Sequence, residues 1–316
     1  MKRLRRYLPI LELGAKYDRK RFTNDLIVAG IAAIMLIPQP LSCAQDTSGF
    51  YLPITLTPAD VAASGGGGAG DDAKANAVEL AKTLANPIGA LISVPFQNNF
   101  DFGGGPAGDG FQYKLNLQPI VPITLNQDWL LISRTILPFV YQENIVGTSS
   151  QSGLADTLQS LFLSPVKPTQ GGWIWGAGPA LLLPTATDDL LGAEKWGAGP
   201  TAVVLKQQNG WTYGALANHV WSFASESERA EVNATYLQPF VSYTTKKATT
   251  FTLNTESTYD WQGDQWTVPL NLMVQQLVKI GKQPVALTIG ARYYADKPDG
   301  GPDWGLRFAV IFLFPK

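Results

Sequence analysis

From Trp304 to Phe314 the chain alternates between two kinds of side chain. Trp304, Leu306, Phe308, Val310, Phe312 and Phe314 share one face of an extended strand, and Gly305, Arg307 and Ala309 share the other. A greasy face that is aromatic at both ends, backed by a small or polar face, predicts the closing strand of an outer-membrane β-barrel. The apolar band would face lipid, aromatic girdles would mark the two interfaces, and the lumen would be polar. After Pro87 the chain breaks into extended segments of this kind. Twelve strands are expected, at about 90–98, 111–123, 128–141, 154–165, 172–184, 195–206, 210–222, 232–245, 248–261, 265–278, 283–295 and 303–314. That leaves roughly 19 residues for each strand with its connection, which suits spans of about ten residues, and the even number puts both ends of the barrel on one side.

The connections support the same picture. Asn126-Gln127, Lys167 to Gly171, Gln207 to Asn209, Lys246-Lys247 and Lys279 to Lys282 are short and read as periplasmic turns. Asp101 to Asp109, Glu143 to Gly153, Asp188 to Glu194, Ser225 to Glu231 and Asp296 to Pro302 are longer and richer in acid, and read as outer loops; Gln262 to Asp264 is short for one.

Upstream of the strands, Ala77, Leu80, Ala81 and Leu84 fall at helical spacing, which predicts a short amphipathic helix over Ala73 to Leu84, ending before Asn86-Pro87. It has two readings: a lead-in packed at the periplasmic rim, or a plug entering the lumen. Gln45 to Asp72 has linker composition, with four consecutive glycines from Gly65 to Gly68. Residues 45–85 are therefore expected to be a flexible linker and helix, and 86–316 the barrel. Residues 1–44 read as a signal peptide: a basic region containing Lys2, Arg3, Arg5, Arg6, Lys16, Arg19, Lys20 and Arg21, an apolar run from Leu26 to Ile37, then the small-residue site Ser42-Cys43-Ala44 before Gln45. Cys43 as a lipoprotein acceptor is the competing reading there, with Pro40 standing where such sites usually have leucine.

Composition narrows the function classes. The formal net charge is −1 and 11% of residues are aromatic, which gives no reason to expect nucleic-acid binding. The apolar run before Pro38 is too short to span a bilayer as a helix, which takes roughly 20 residues. One cysteine excludes an internal disulfide framework, and one histidine with it offers no metal-ligand cluster. Gly65 to Gly68 lacks the Lys-Ser or Lys-Thr of a phosphate loop. No cofactor is expected.

Several blocks carry a resemblance: NPIGALISVPFQNNFDFG, LNLQPIVPITLNQDWLLISRTILPFV, GLADTLQSLFLSP, WIWGAGPALLLPTATDDLLGAEKWGAGPTAVVL, LQPFVSY, KIGKQPV and KPDGGPDWGLRF. Together they resemble a family of bacterial outer-membrane transporters that carries the misleading label neuromedin U, near the channels named after the MetA pathway of phenol degradation. The similarity covers Asn86 to Lys316 and implies an outer-membrane transport role. Residues 7–42, through Tyr7-Leu8-Pro9-Ile10, Asp25-Leu26 and Ile37-Pro38-Gln39, resemble the N-terminus of SulP sulfate permeases. Nothing else of that family follows, so the segment reads as a borrowed leader.

In the clearest strands the face opposite the greasy one carries Lys114, Asn116, Gln118, Arg134, Asn254, Glu256, Asp260, Asn271, Gln275, Arg292 and Arg307, the candidate pore-lining residues. Their charges either pair across a narrow lumen, as desolvation demands, or form a constriction in which Arg134, Arg292 and Arg307 face Glu256 and Asp260. Strands five and six turn small residues inward, Gly176, Gly178, Ala180, Gly197 and Gly199, which implies room for a solute or sharp curvature. Prolines inside strands, among them Pro95, Pro119, Pro138, Pro179, Pro200 and Pro269, predict bulges, bends or a lateral opening. His219 beside Trp221 reads as an interfacial residue, since Ser222 at an odd offset points to the other face and does not form a catalytic pair with it. Asp188-Asp189 and Asp299 with Asp303 are solvated acids or cation sites among lipopolysaccharide phosphates.

The expectation is an all-β transmembrane antiparallel barrel of about 12 strands with a short N-terminal helix, in a Gram-negative outer membrane. It would be a passive channel or facilitator for small molecules, hydrophobic or aromatic ones included, and not an enzyme. Outer-membrane lipids, lipopolysaccharide and the barrel-assembly machinery would be its partners. A non-conducting structural or surface-interaction barrel is the alternative, and a lipid hydrolase a remote one.

Overall fold

A computed structural model describes residues 69–315, apart from 147–148 and 225–228. The expected signal peptide and most of the expected linker lie outside the described residues. Helix α1 spans Ala69–Leu84, so it starts inside the stretch read as linker. Residues Ala77–Lys316 form one compact unit.

That unit is a closed antiparallel barrel of twelve strands, three of them interrupted, which gives fifteen segments. They are β1 (Ile92–Gly104), β2 (Gly110–Leu117) continued by β3 (Ile120–Thr124), β4 (Trp129–Glu143) and β5 (Ser150–Leu154) continued by β6 (Thr157–Pro165). Then come β7 (Trp173–Leu183), β8 (Trp196–Gln208), β9 (Trp211–Ala224), β10 (Asn233–Thr244) and β11 (Thr249–Thr255) continued by β12 (Ser257–Asp260). The chain finishes with β13 (Gln265–Ile280), β14 (Gln283–Asp296) and β15 (Trp304–Phe314). The barrel closes where β1 pairs with β15, from Ile92 opposite Phe314 to Phe102 opposite Trp304.

The pleat dictates two faces, and the structure keeps them apart. In β13, Leu270 and Leu272 are 43% and 61% exposed on the outer face while Asn271 between them is fully buried. Aromatic rings gather at both ends of the outer face. Near the short turns Trp173 meets Tyr213 and Trp211 meets Tyr243; near the long loops Phe102 stacks on Trp304 with ring centroids 4.6 Å apart, and Tyr259 meets Trp261. This places the barrel in the outer membrane. The two-residue turn Asn209-Gly210 between β8 and β9 has positive φ at both residues, the conformation of a type I′ hairpin.

The prolines locate the interruptions. Pro119 lies in the gap between β2 and β3. The gap between β5 and β6 faces Pro138, whose carbonyl accepts from Ala155 N–H. Glu256, in the gap between β11 and β12, sits beside Pro269, which has no N–H to return. Pairing continues around every neighbouring pair of strands, so the prolines thin the ladder locally and leave the wall closed.

One boundary differs in a way that matters. Asp101 was expected in the first outer loop, but β1 runs on to Gly104 and only residues 105–109 form that loop. Phe96, Phe100 and Phe102 hold the outer face, which turns Ser93, Asn99 and Asp101 inward, where all three are buried.

Candidate functional site: the barrel lumen

Two levels of the lumen differ in chemistry. The level nearer the short turns is apolar and is occupied by the segment that leads into β1. Ala81 of α1 is fully buried among Leu277, Ala286, Ala309, Ile311 and Leu313, all on or near the inward face of β13 to β15. Seven residues on, Ile88 is 2% exposed among Ile132, Phe162, Val203, Leu205 and Leu216 on the opposite wall. Gln207 Nε2 donates to Lys82 O at 2.8 Å, tying the end of the helix to β8. Of the two readings of this helix, the structure shows the one in which its last turns enter the lumen.

The small inward faces of β7 and β8 have a use here. A Cβ on Gly176 would lie 3.3 Å from Ile88 Cδ1, so the space opened by that glycine is taken by the plug and not left to a solute. Gly178 and Gly199 serve curvature: a Cβ at either would collide with the carbonyl of the neighbouring strand, Leu161 O or His219 O.

Above the plug lies a band of ionised and amide side chains. Glu256 accepts both Nη groups of Arg307, at 2.8 and 2.7 Å, with Arg292 Nη2 at 4.0 Å. Asp101 Oδ2 accepts from Arg292 Nη1 at 3.1 Å. The amides lock the guanidiniums in place: Arg307 Nε donates to Asn99 Oδ1 at 2.7 Å, Arg292 Nε to Asn271 Oδ1 at 3.1 Å, and Asn271 Nδ2 to Asn254 Oδ1 at 2.8 Å. Arg307 and Arg292 side chains are only 3% and 9% exposed, and charge this deep persists only when paired and hydrogen-bonded. Gly305 makes the space: it stands opposite both Asp101 and Arg292, and a Cβ there would collide with Asp101 Oδ1.

Among the expected residues, Asn254, Glu256, Asn271, Arg292 and Arg307 therefore form one network, with Asn99 and Asp101 as members that the sequence reading left out. Lys114 is on the next strand, opposite Asn99, and Asn116 follows on the same face with its Oδ1 buried and unpartnered among the described residues. Gln118 is 8% exposed and accepts from Arg134 Nη2 at 3.4 Å. Gln275 accepts from Thr288 Oγ1 at 3.2 Å. Asp260 is not brought in: it is exposed at the outer end of β12, and its carboxylate accepts from Gln262 N–H.

A chamber of about 210 Å³ remains between plug and network, lined by Thr83 to Pro87 with Gly89 and by inward residues that include Arg134, Ser242, Asn254 and Gln275.

His219 lies on the outer face, 4.1 Å from the Trp221 ring and with Nδ1 2.7 Å from Thr235 Oγ1. Ser222 faces the other way and donates to Glu231. The pair does not form a hydroxyl–imidazole contact. The loop acids are engaged locally: Asp303 with Lys297 Nζ at 2.5 Å, and Asp188 with Leu190 N–H at 2.9 Å. Among the described residues no three metal-ligating side chains gather.

No protein-family model matches the chain, and no curated protein does either. Solved structures do. The COG4313 outer membrane channel from Pseudomonas putida F1 is similar with a TM-score of 0.55 at 17% identity, over 72% of this chain and 97% of that one. Weaker likenesses reach outer membrane phospholipase A from Escherichia coli, at TM-score 0.42 and 12% identity over 71% of this chain and 90% of that one. The KdgM porin, in complex with disordered oligogalacturonate, follows at 0.39 and 11% over 71% and 99%. At this identity the first shares its fold with the present chain, and the other two scores are too low to bear on its chemistry. The protein is an outer-membrane β-barrel with the fold of an outer-membrane channel.

Proposed function

We propose that this barrel is a passive channel or facilitator for small molecules, hydrophobic or aromatic ones included. In this reading it belongs with the transporters labelled neuromedin U, near the MetA-pathway channels of phenol degradation. Lipopolysaccharide and outer-membrane lipids would surround it, and the barrel-assembly machinery would insert it. The observation that carries the reading is the chamber inside the lumen, whose wall mixes hydroxyl and amide groups with apolar side chains. A barrel kept only for its outer surface has no need of a chamber with polar groups in its wall, since filling its interior with apolar side chains costs less.

The plug then sets the resting state. Its two anchors, Ala81 and Ile88, must leave their pockets for a continuous path to open. The same two burials favour the second reading, a non-conducting structural barrel. Single-channel recording of the full chain beside its Ile88→Asp variant separates them. A carboxylate cannot stay in that apolar pocket, so frequent, stable steps in the variant and rare ones in the parent support a plugged channel. Silence from both, with the barrel folded, supports the structural reading.

A further inference from the structure

The geometry points to a carboxylate-binding subsite in the lumenal chamber, built on Arg134, for a small organic acid with an apolar body. This rests on the channel reading and names the solute class for it.

In the ionised band four cations, Lys114, Arg134, Arg292 and Arg307, share two carboxylates, Asp101 and Glu256. Both carboxylates are already committed: Glu256 to Arg307 by two hydrogen bonds, and Asp101 to Arg292. Lys114 and Arg134 are left over, and of the two only Arg134 lines the chamber. Its one hydrogen bond to a described residue is the long 3.4 Å contact of Nη2 with a neutral acceptor, Gln118 Oε1, and its Nε is buried with no partner. A guanidinium donates through a planar fork matched to a carboxylate, and burying it without a counter-ion is costly. Among the described residues Arg134 is the only charged side chain in the lining of the chamber, so an anion there meets a cation on the wall, with Glu256 outside the lining.

The remaining walls describe the rest of the solute. Phe240, Ile120 and Ile311 give an apolar surface, and Gln238, Ser242 and Gln275 give neutral donors and acceptors. At about 210 Å³ the chamber is smaller than the roughly 300–1,000 Å³ of sites for drug-sized ligands, so the occupant is a small acid of one ring or a short chain. A divalent or sugar acid would need further cations or a denser set of polar contacts than this wall supplies.

The test uses the refolded full chain in detergent, with sodium benzoate as the probe and benzamide as its uncharged match, followed by calorimetric titration. Saturable benzoate binding, at least tenfold tighter than benzamide, is expected. Arg134→Gln should weaken benzoate at least tenfold and leave benzamide unchanged, Arg134→Lys should fall between, and Lys279→Gln at the exposed periplasmic end of β13 should match the parent. Equal affinity for the two probes in the parent overturns the subsite without any variant having to fold. Unchanged benzoate affinity in folded Arg134→Gln overturns it too, as does competition by chloride as strong as by benzoate. Benzoate binding in a chain whose Ile88→Asp form never conducts would keep the subsite and remove the channel.

Discussion

At the level of Ala81 and Ile88 the lumen is filled by apolar side chains in contact with the barrel's own leading segment, whereas nearer the outer loops Asp101, Glu256, Arg292 and Arg307 are bound to one another through carboxylates and amides. The apolar level is held by burial, which is non-directional, and by the uncharged Gln207–Lys82 hydrogen bond, and both can be given up in one movement without stranding a charge. The ionised level cannot rearrange in that way, because releasing any one partner leaves an uncompensated charge in a confined space. In the proposed channel, motion would therefore belong to the plug, and the ionised band would be fixed scaffolding along the path.

Removing the shared carboxylate is the harshest way to break that comparison. Glu256→Ala leaves Arg307 with only amide and thioether acceptors and removes one of the two carboxylates near Arg292. A loss of about 3–5 kcal/mol is expected, as for other broken buried pairs, read as a fall in the urea midpoint of the refolded barrel. A loss under about 1 kcal/mol would mean that lumenal water solvates the guanidiniums and that the band is as adaptable as the plug.

Truncating the plug's anchor should cost less and act elsewhere. Ile88→Ala empties a pocket formed with Phe162, Leu205 and Leu216 and weakens docking by about 2–4 kcal/mol. The barrel's urea midpoint should move little, while the open fraction in bilayer recordings rises by tenfold or more. If the midpoint falls as far as in Glu256→Ala, the plug is part of the folded core and the division between mobile and fixed levels fails.

The two levels were not equally legible in the sequence. Strand positions follow from alternation, so the outer face and the inward parity of Asn271, Arg292 and Arg307 could be read directly, because a lipid-facing band imposes period two on every strand. Asp101 was missed because acids and the glycines at 103–105 are loop signals, and they outweighed the aromatic spacing of Phe96, Phe100 and Phe102 that kept the strand going. Asp260 was assigned by parity alone, which says which face a residue takes but not how far along the barrel it stands. Cross-lumen pairing depends on barrel tilt and stagger, and no strand carries that information by itself. The plug was half visible: helical spacing gave α1, but the pocket for Ile88 is assembled from five inward positions on four strands.

The aromatic girdle offers a milder contrast between a membrane-facing contact and the lumen. Phe102 and Trp304 stack at 4.6 Å across the strand pair that closes the barrel. A double-mutant cycle to alanine at both positions should return a coupling of about 1 kcal/mol. That is well below the coupling expected between Glu256 and Arg307, and equal values would mean that closure depends on the girdle as much as on the ionised band.

The smallest effect lies outside the membrane, where the strand end of β9 meets the loop before β10. The Ser222 hydroxyl, and after it the Lys195 ammonium, hold the Glu231 carboxyl below its ordinary value of 4.5. A carboxyl whose folded value is depressed contributes stability above its unfolded value and loses it as pH falls through the folded one. The loop contact should thus be constant at neutral pH and weaken only below pH 4.5. Val232 N–H donates to Ser222 Oγ at 2.9 Å, so hydrogen exchange at Val232, corrected for its intrinsic rate, reports the event. Lys195→Gln should move the midpoint of protection upward toward 4.5 by less than the removal of the hydroxyl would. A midpoint unmoved by the substitution would leave the hydroxyl as the sole cause. Protection lost near neutral pH would contradict the depressed value, because a carboxyl held low is already ionised there.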